Sequence, residues 1–340
     1  MLSWLSSMPF KPATWMLHIA LATIVVGACV THFFGEQGEI HLRADKAQTL
    51  TVRQSSVSLF LWDFQVVRDE QGNPADYITN LRLLDRSAQA SVIDEGIVQM
   101  NKPLKYKGFR FCQSDYDSDL QGIVLAYNYD PWGIGITYTG YALLLLAMIG
   151  FFFQKRTYFR SLIRQQHRWL MLGLGLAILA LAFVMTKVVT PKPPLQPVLQ
   201  TPLLGIHVSV IMLAYTLFAV IMINGIVALC LPKRREQLMH LSQVLLYPAE
   251  FCLTAGIFIG AVWANMSWGR YWGWDPKETW ALITMLVYAF LLHLPWLKKY
   301  IIHQTSYTIV YHLYAIFAFL FVLFTYFGVS YLLGGLHSYA

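Results

Sequence analysis

Between Trp263 and Trp280 the chain carries five of its eleven tryptophans: Trp263, Trp268, Trp272, Trp274 and Trp280. Tyr271 adds a sixth ring. Gly269, Gly273 and Pro276 argue against one long helix through this stretch, and Asp275-Pro276 reads as a helix start with proline at the first position. Several flat aromatic faces therefore sit on irregular backbone beside Arg270, Asp275, Lys277 and Glu278. Such a surface suits a large planar ligand with anionic groups. A belt of Trp and Tyr at the membrane–water interface would account for two or three of the rings, but not for their density among glycines.

Histidine placement is the second chemical signal. Ten histidines are present. His18 lies near the start of the first apolar run and His293 near the end of the sixth. Asp275 and His293 are 18 residues apart, about 27 Å of helix and close to a full hydrocarbon thickness. His18 and His293 can thus share a depth. His207 opens the fourth run and His337 follows the last, so these two share the opposite side, level with the Trp-rich stretch. Intramembrane ionisable residues are functional candidates by default, and imidazole is the usual protein ligand of haem iron. A single membrane histidine is more often an interhelical hydrogen-bonder. Two depth-matched pairs beside a tryptophan platform favour ligands. His312 competes for the first pair; His167, His240 and His303 read as solvated, and His32 and His41 stay open. Glu250, inside the fifth run, reads as a hydrogen-bond partner.

Composition defines the elements that must position these groups. Hydrophobic residues make up 56% of the 340 and charged residues 13%, about half the share of a soluble domain. The net charge of +7 needs no nucleic acid to explain it. Seven runs are long enough to span a bilayer: 13–34, 133–153, 169–190, 205–230, 243–264, 277–297 and 306–333. Basic residues cluster in alternate connections, at Lys155 to Arg168, at Lys233 to Arg235 and at Lys298-Lys299, which places the N-terminus in the cytoplasm and the C-terminus outside. The first run has no clear cleavage site and reads as retained. Residues 35–132 alternate apolar and polar at 57–67, 77–84, 108–111 and 123–129, with turn-formers such as Gly72-Asn73-Pro74 between, predicting antiparallel sheet on the outer side. The fold expected is an α-helical polytopic membrane protein of about seven transmembrane helices, with a small mainly-β extracytoplasmic domain inserted after the first. Cys29, Cys112, Cys230 and Cys252 form no Cys-x-x-Cys pair, which excludes a thiol–disulfide carrier by motif and a c-type cytochrome.

Trp-Gly-Arg-Tyr-Trp-Gly-Trp-Asp-Pro-Lys-Glu-Thr-Trp, from Trp268, resembles the tryptophan-rich "WWD" segment of the haem-handling proteins, specifically the CcsA branch. Ala281 to His293, His207-Val-Ser-Val and Gly334-Gly-Leu-His-Ser-Tyr are also similar to CcsA. Leu17-His18 with Gly27-Ala28, Phe34-Gly-Glu-Gln-Gly-Glu and Pro103 to Tyr116 resemble CcsB (ResB). Together they imply a fused arrangement: residues 1–34 a CcsB-like first transmembrane helix, 35–132 the CcsB/ResB-like outer domain, 133–153 a second transmembrane helix, and 154–340 a CcsA-like membrane domain holding the Trp-rich loop 263–280. Full CcsB proteins carry an earlier span and a larger outer domain, so the resemblance implies a compact version or a separate CcsB/ResB-type subunit. It further implies system II cytochrome c biogenesis in a bacterial inner membrane, with residues 35–132 and the C-terminus periplasmic. Haem b, as substrate, would pass from an inner site ligated by His18 and His293 to an outer site. There His207 and His337 would be the axial ligands of iron, Trp268, Trp272 and Trp274 the stacking faces, and Arg270 and Asp275 further contacts. The implied partners are apocytochrome c, through its Cys-x-x-Cys-His segment, and a thiol-reducing thioredoxin-like protein, and the implied activity is that of a holocytochrome c synthase. A bis-histidine b-type membrane cytochrome is the competing reading.

Overall fold

The computed structural model describes residues 12–84, 91–154, 157–165, 175, 197–297 and 304–333. Among them, six helical stretches are long and apolar enough to cross a membrane. The expected span at 169–190 lies outside the described residues. The chain is a helical polytopic membrane protein with a β domain inserted after its first helix.

The helix α1, Pro12–Phe34, leads into the β domain, and α2, Gly133–Phe153, leads out of it. The two pack closely because small residues face each other. A Cβ on Gly27 would fall 2.3 Å from the Thr137 hydroxyl oxygen, and one on Gly140 would meet Ile24 at 2.6 Å. Between helices in lipid, where hydrophobicity drives no association, such close approach supplies the packing.

The described residues between 36 and 129 form eight strands, twice the number of runs expected from the sequence. They are β1 Glu36–Arg43, β2 Gln48–Val52, β3 Ser55–Arg68, β4 Pro74–Leu84, β5 Val92–Gln99, β6 Leu104–Tyr106, β7 Phe109–Tyr116 and β8 Gly122–Tyr129. They make two antiparallel four-stranded sheets, ordered β1-β8-β7-β6 and β2-β3-β4-β5. Leu42, Phe109, Phe111, Ile123 and Leu125 of the first share one core with Val57, Leu59, Leu61, Leu81 and Leu83 of the second, so the sheets pack face to face. The additional strands were hidden for physical reasons. β1 buries only Ile40 and Leu42 among polar neighbours, and β6 is three residues long.

After the short basic helix α3, Tyr158–Gln165, come α4 Pro202–Cys230, α5 Arg235–Ser267, α6 Pro276–Leu297 and α7 Gln304–Leu323. The last continues through a π turn at Phe324–Gly328 to Leu332. α5 is the bundle's central helix, burying Leu245, Leu246, Ala249 and Leu253 in the helical core. Its core contacts include Phe218 of α4, Tyr288 of α6 and Tyr311 of α7.

Candidate functional site

Two places bring the predicted residues together, at different depths. The first is a cavity of about 360 Å³ between α1, α2, α5 and α6, away from the sheets. His18 and His293 both line it, as do Glu250 and Thr254 of α5. His18 lies sixteen residues before the sheet-side end of α1, and Glu250 and His293 each lie seventeen residues from the sheet-side ends of α5 and α6. At 1.5 Å per residue all three sit about 25 Å from that end. The depth matching expected for His18 and His293 is therefore met within one cavity.

The two imidazoles are held alike. His18 Nδ1 lies 2.8 Å from the Thr14 carbonyl, and His293 Nδ1 lies 2.7 Å from the Ala289 carbonyl. A carbonyl only accepts, so each Nδ1 carries a proton, and Nε2 is the nitrogen that can offer a lone pair. A second nitrogen tied to backbone is the usual arrangement for a metal-ligating histidine. His312 differs. It is fully buried, its Nε2 donates to the Arg235 carbonyl at 3.1 Å, and its Nδ1 is enclosed in the core. It is not among the residues that line the cavity. His240, expected to be solvated, is half-buried with its Nδ1 enclosed.

His207 lies five residues into α4, at the sheet-side end. Its Nδ1 donates to the Gly256 carbonyl of α5 at 2.7 Å, the same tautomer again. The ring lies against Gly260, where a Cβ would sit 2.6 Å from Cε1 and 2.7 Å from Nδ1. Only glycine leaves room for it. The sequence contained this signal, a glycine on the helix facing a candidate ligand, but nothing in it paired the two. His337 lies outside the described residues.

Three of the five tryptophans occupy the irregular segment. Trp263 is buried inside α5, and Trp280 sits in α6, where it packs on Phe324 at 4.2 Å. Trp268 caps the end of α5, and Gly269 follows with φ +74. Trp272 is half-buried against the bundle core and meets Trp274 edge to face at 5.9 Å, while Trp274 is 71% exposed. Trp274 itself has φ 55, a left-handed conformation unusual for so large a residue. The turn is held by its neighbours: Glu278 Oε2 accepts from the Gly273 amide at 2.8 Å and the Asp275 amide at 3.2 Å, and Asp275 Oδ2 accepts from the Lys277 amide at 3.1 Å. This is a capping box at the start of α6. Asp275 is buried in that role. Lys277 Nζ donates to Ser330 Oγ at 3.0 Å, and the half-buried Arg270 lies over Gly273, where a Cβ would be 3.0 Å from its Nε.

The β domain is clamped onto this segment. Asn128 Nδ2 donates to the Gly269 carbonyl at 2.6 Å and Ser267 bonds Asn101, while Tyr271 donates to Thr31 of α1 at 2.8 Å. A cleft of about 880 Å³ remains between sheets and loop, bordered by Trp268, Arg270, Tyr127 and Glu39. Cys112 of β7 is buried beside Gly269, and burial pushes its thiol up to about 12. The four cysteines are all free.

A multi-pass membrane protein with a β sandwich clamped over a tryptophan-rich turn, and a histidine-lined cavity deeper among its helices, is thus defined. Residues 135–337 match the family described as Cytochrome C assembly protein, and residues 13–134 match the ResB-like family. The chain belongs to the cytochrome c assembly family and, with the ResB-like region joined ahead of it, is a fused CcsB–CcsA system II cytochrome c biogenesis protein. It is 42% identical over 157 residues to protein NrfI of Wolinella succinogenes, a match covering 43% of this chain and 17% of NrfI. It is 36% identical over 176 residues to the cytochrome c biogenesis protein CcsA of Guillardia theta, covering 43% of this chain and 56% of that protein. With CcsA of Chlamydomonas reinhardtii the figures are 37% over 168 residues, 46% of each chain. The chain thus spans less than two thirds of each of these relatives.

Proposed function

We propose that this chain carries haem b across a bacterial inner membrane and presents it to apocytochrome c for covalent attachment. The observation that carries the reading is the cavity shared by His18 and His293. Two imidazoles from different spans reach it at one depth, each with Nδ1 tied to its own helix and Nε2 left as the lone-pair nitrogen. The basic residues Arg160, Arg164, Lys233, Arg234 and Arg235 lie at the end away from the sheets. The positive-inside rule puts that end in the cytoplasm and the β domain in the periplasm.

In this reading haem enters between His18 and His293 and moves outward along α5 to His207 and His337. His207 packs on α5, the helix that carries Glu250, and Gly260, which seats His207, is ten residues from Glu250, about 15 Å along the helix. Trp268, Trp272 and Trp274 offer stacking faces, and Arg270 offers a cation for a propionate. Asp275 contributes by fixing the turn. Each Cys-x-x-Cys-His thiol, kept reduced by a thioredoxin-like partner, adds across a haem vinyl group. Sulfur bonds one vinyl carbon and the thiol hydrogen goes to the other, with no net oxidation. The chain's part is proximity and orientation.

The test is the absorption spectrum of the purified full chain, oxidised and reduced, beside His18→Gly and His293→Gly. Each variant is expected to lose most of its haem, and added imidazole to restore part of it. Full haem in both variants would overturn the reading. Two permanently resident haems, with c-type cytochromes maturing normally when the histidines are lost, would identify an electron carrier instead.

A further inference from the structure

The cavity that holds His18 and His293 contains one group that the ligation of iron does not use. Glu250 is 8% exposed, and its Oε2 is buried with no hydrogen-bond partner among the described residues. The sequence suggested a hydrogen-bonding role for this carboxyl, and the described residues supply no partner for that oxygen. No lysine or arginine lines the cavity among the described residues, and Glu250 is its one acidic residue there. Most of the remaining wall is aliphatic or aromatic, as at Leu144, Met148 and Phe251.

A lone carboxylate in such surroundings costs far more than the neutral acid. A carboxyl kept in the middle of a membrane helix without a cation therefore carries its proton and has an O–H to donate. The ligand proposed for this cavity brings the complementary group, since haem bears two propionate carboxylates. An apolar cavity without cations can accept an anionic group only through hydrogen-bond donors. Glu250 stands at the depth of both histidines, and Thr254, one turn along α5, lines the same cavity.

We propose that protonated Glu250 is the donor that receives a propionate carboxylate of haem in this cavity, a role that rests on the reading of His18 and His293 as the inner site. The contact is a charge-assisted hydrogen bond, with the proton shared between two carboxyl groups and no bond broken in the cargo. It makes Glu250 a binding residue for the acidic edge of the porphyrin, where the histidines bind its iron.

The experiment uses the full chain in lipid nanodiscs in a His207→Gly background, so that the candidate site near the sheets does not compete. Haem and haem dimethyl ester, whose propionates cannot accept as carboxylates, are titrated and followed by the bis-imidazole spectrum. Glu250→Leu is expected to weaken haem binding about tenfold or more and to leave ester binding unchanged. Glu250→Gln, which keeps a donor of the same shape, is expected to bind haem within about threefold of the unaltered residue. Equal weakening of haem and ester in Glu250→Leu would assign Glu250 to packing and overturn the proposal. So would unchanged haem binding in Glu250→Leu, or a Gln variant as weak as the Leu variant. His293→Gly separates this failure from that of the site itself. It should weaken haem and ester together, and unaltered binding of both would remove the inner site whatever Glu250 does.

Discussion

The cavity at His18 and His293 and the tryptophan-rich turn near His207 are built by opposite means. The cavity is made of regular helix. Its groups are placed by rise per residue alone, and each histidine is oriented by a carbonyl of its own helix, at Thr14 and Ala289. The turn is made of irregular backbone. Its rings are placed by positive φ at Gly269 and Trp274, by the Glu278 carboxylate on two amides, and by Asn128 of the β domain. His207 belongs between the two, since it stands on a helix but is oriented by a neighbouring one, through the Gly256 carbonyl and the space above Gly260. A site on regular helix needs few supports and tolerates change around it. A site on a turn depends on distant residues, so it should fail from further away.

The sharpest way to break that contrast is Gly260→Ala. One methyl group would fall 2.6 Å from the His207 ring, so the ring must swing out and release the Gly256 carbonyl. Losing that hydrogen bond costs about 1 kcal/mol, while alanine in place of glycine inside a helix returns about 1 kcal/mol. Stability should hardly move. Maturation of c-type cytochromes is expected to fall to near background, with the haem bound at His18 and His293 retained. Loss of both together, measured by haem spectrum and cytochrome yield, would mean that the two places are not independent.

Legibility in the sequence followed the same division. Counting along apolar runs locates α1, α2, α4, α6 and α7 to within a few residues, and it puts His18 and His293 at one depth. α5 was longer than its apolar run, because Arg235 to Ser242 continues the helix with polar residues. Half the strands were missed, since β1, β2, β5 and β6 are short or bury few side chains. In the turn, the Asp275-Pro276 start was readable from capping chemistry. Trp263 and Trp280 fall inside the apolar runs 243–264 and 277–297 and are helical, whereas the left-handed backbone at Trp274 carries no sequence signal, because so large a residue rarely adopts it. The seat of His207 on Gly260 is a pairing across 53 positions, and no local rule reaches that far.

Trp274 and Trp272 sharpen the comparison within the turn. Trp274 is 71% exposed, whereas Trp272 packs against the bundle core. Trp274→Ala should therefore change stability by no more than about 0.5 kcal/mol. If it is a stacking face for the porphyrin, its loss removes about 1–3 kcal/mol, by analogy with base stacking on aromatic side chains, and maturation should fall about fivefold or more. Trp272→Ala should cost both stability and maturation. Melting curves beside cytochrome yields separate the two, and full maturation in Trp274→Ala would leave Trp268 and Trp272 as the only faces in play.

The smallest effect is expected at Cys112, where the β domain touches the turn. Its thiol is buried against Gly269, and burial raises it from an ordinary 9.0 to about 12. The neutral thiol is the form that the fold favours. Its contribution to stability is complete below about pH 9 and is lost as pH rises toward 12, because the unfolded chain ionises first. At pH 8 almost no thiolate is present, so Cys112 should resist alkylation and should play no part in thiol exchange with the apocytochrome. Cys112→Ala is expected to cost about 1 kcal/mol in packing and to leave maturation unchanged. Above pH 9 the stability gap between the two proteins should narrow, by up to about 1.4 kcal/mol per pH unit. Alkylation of native Cys112 at pH 8, or a maturation defect in the alanine variant, would mean that this contact opens in the working protein, and the turn would then be coupled to the β domain more loosely than its hydrogen bonds suggest.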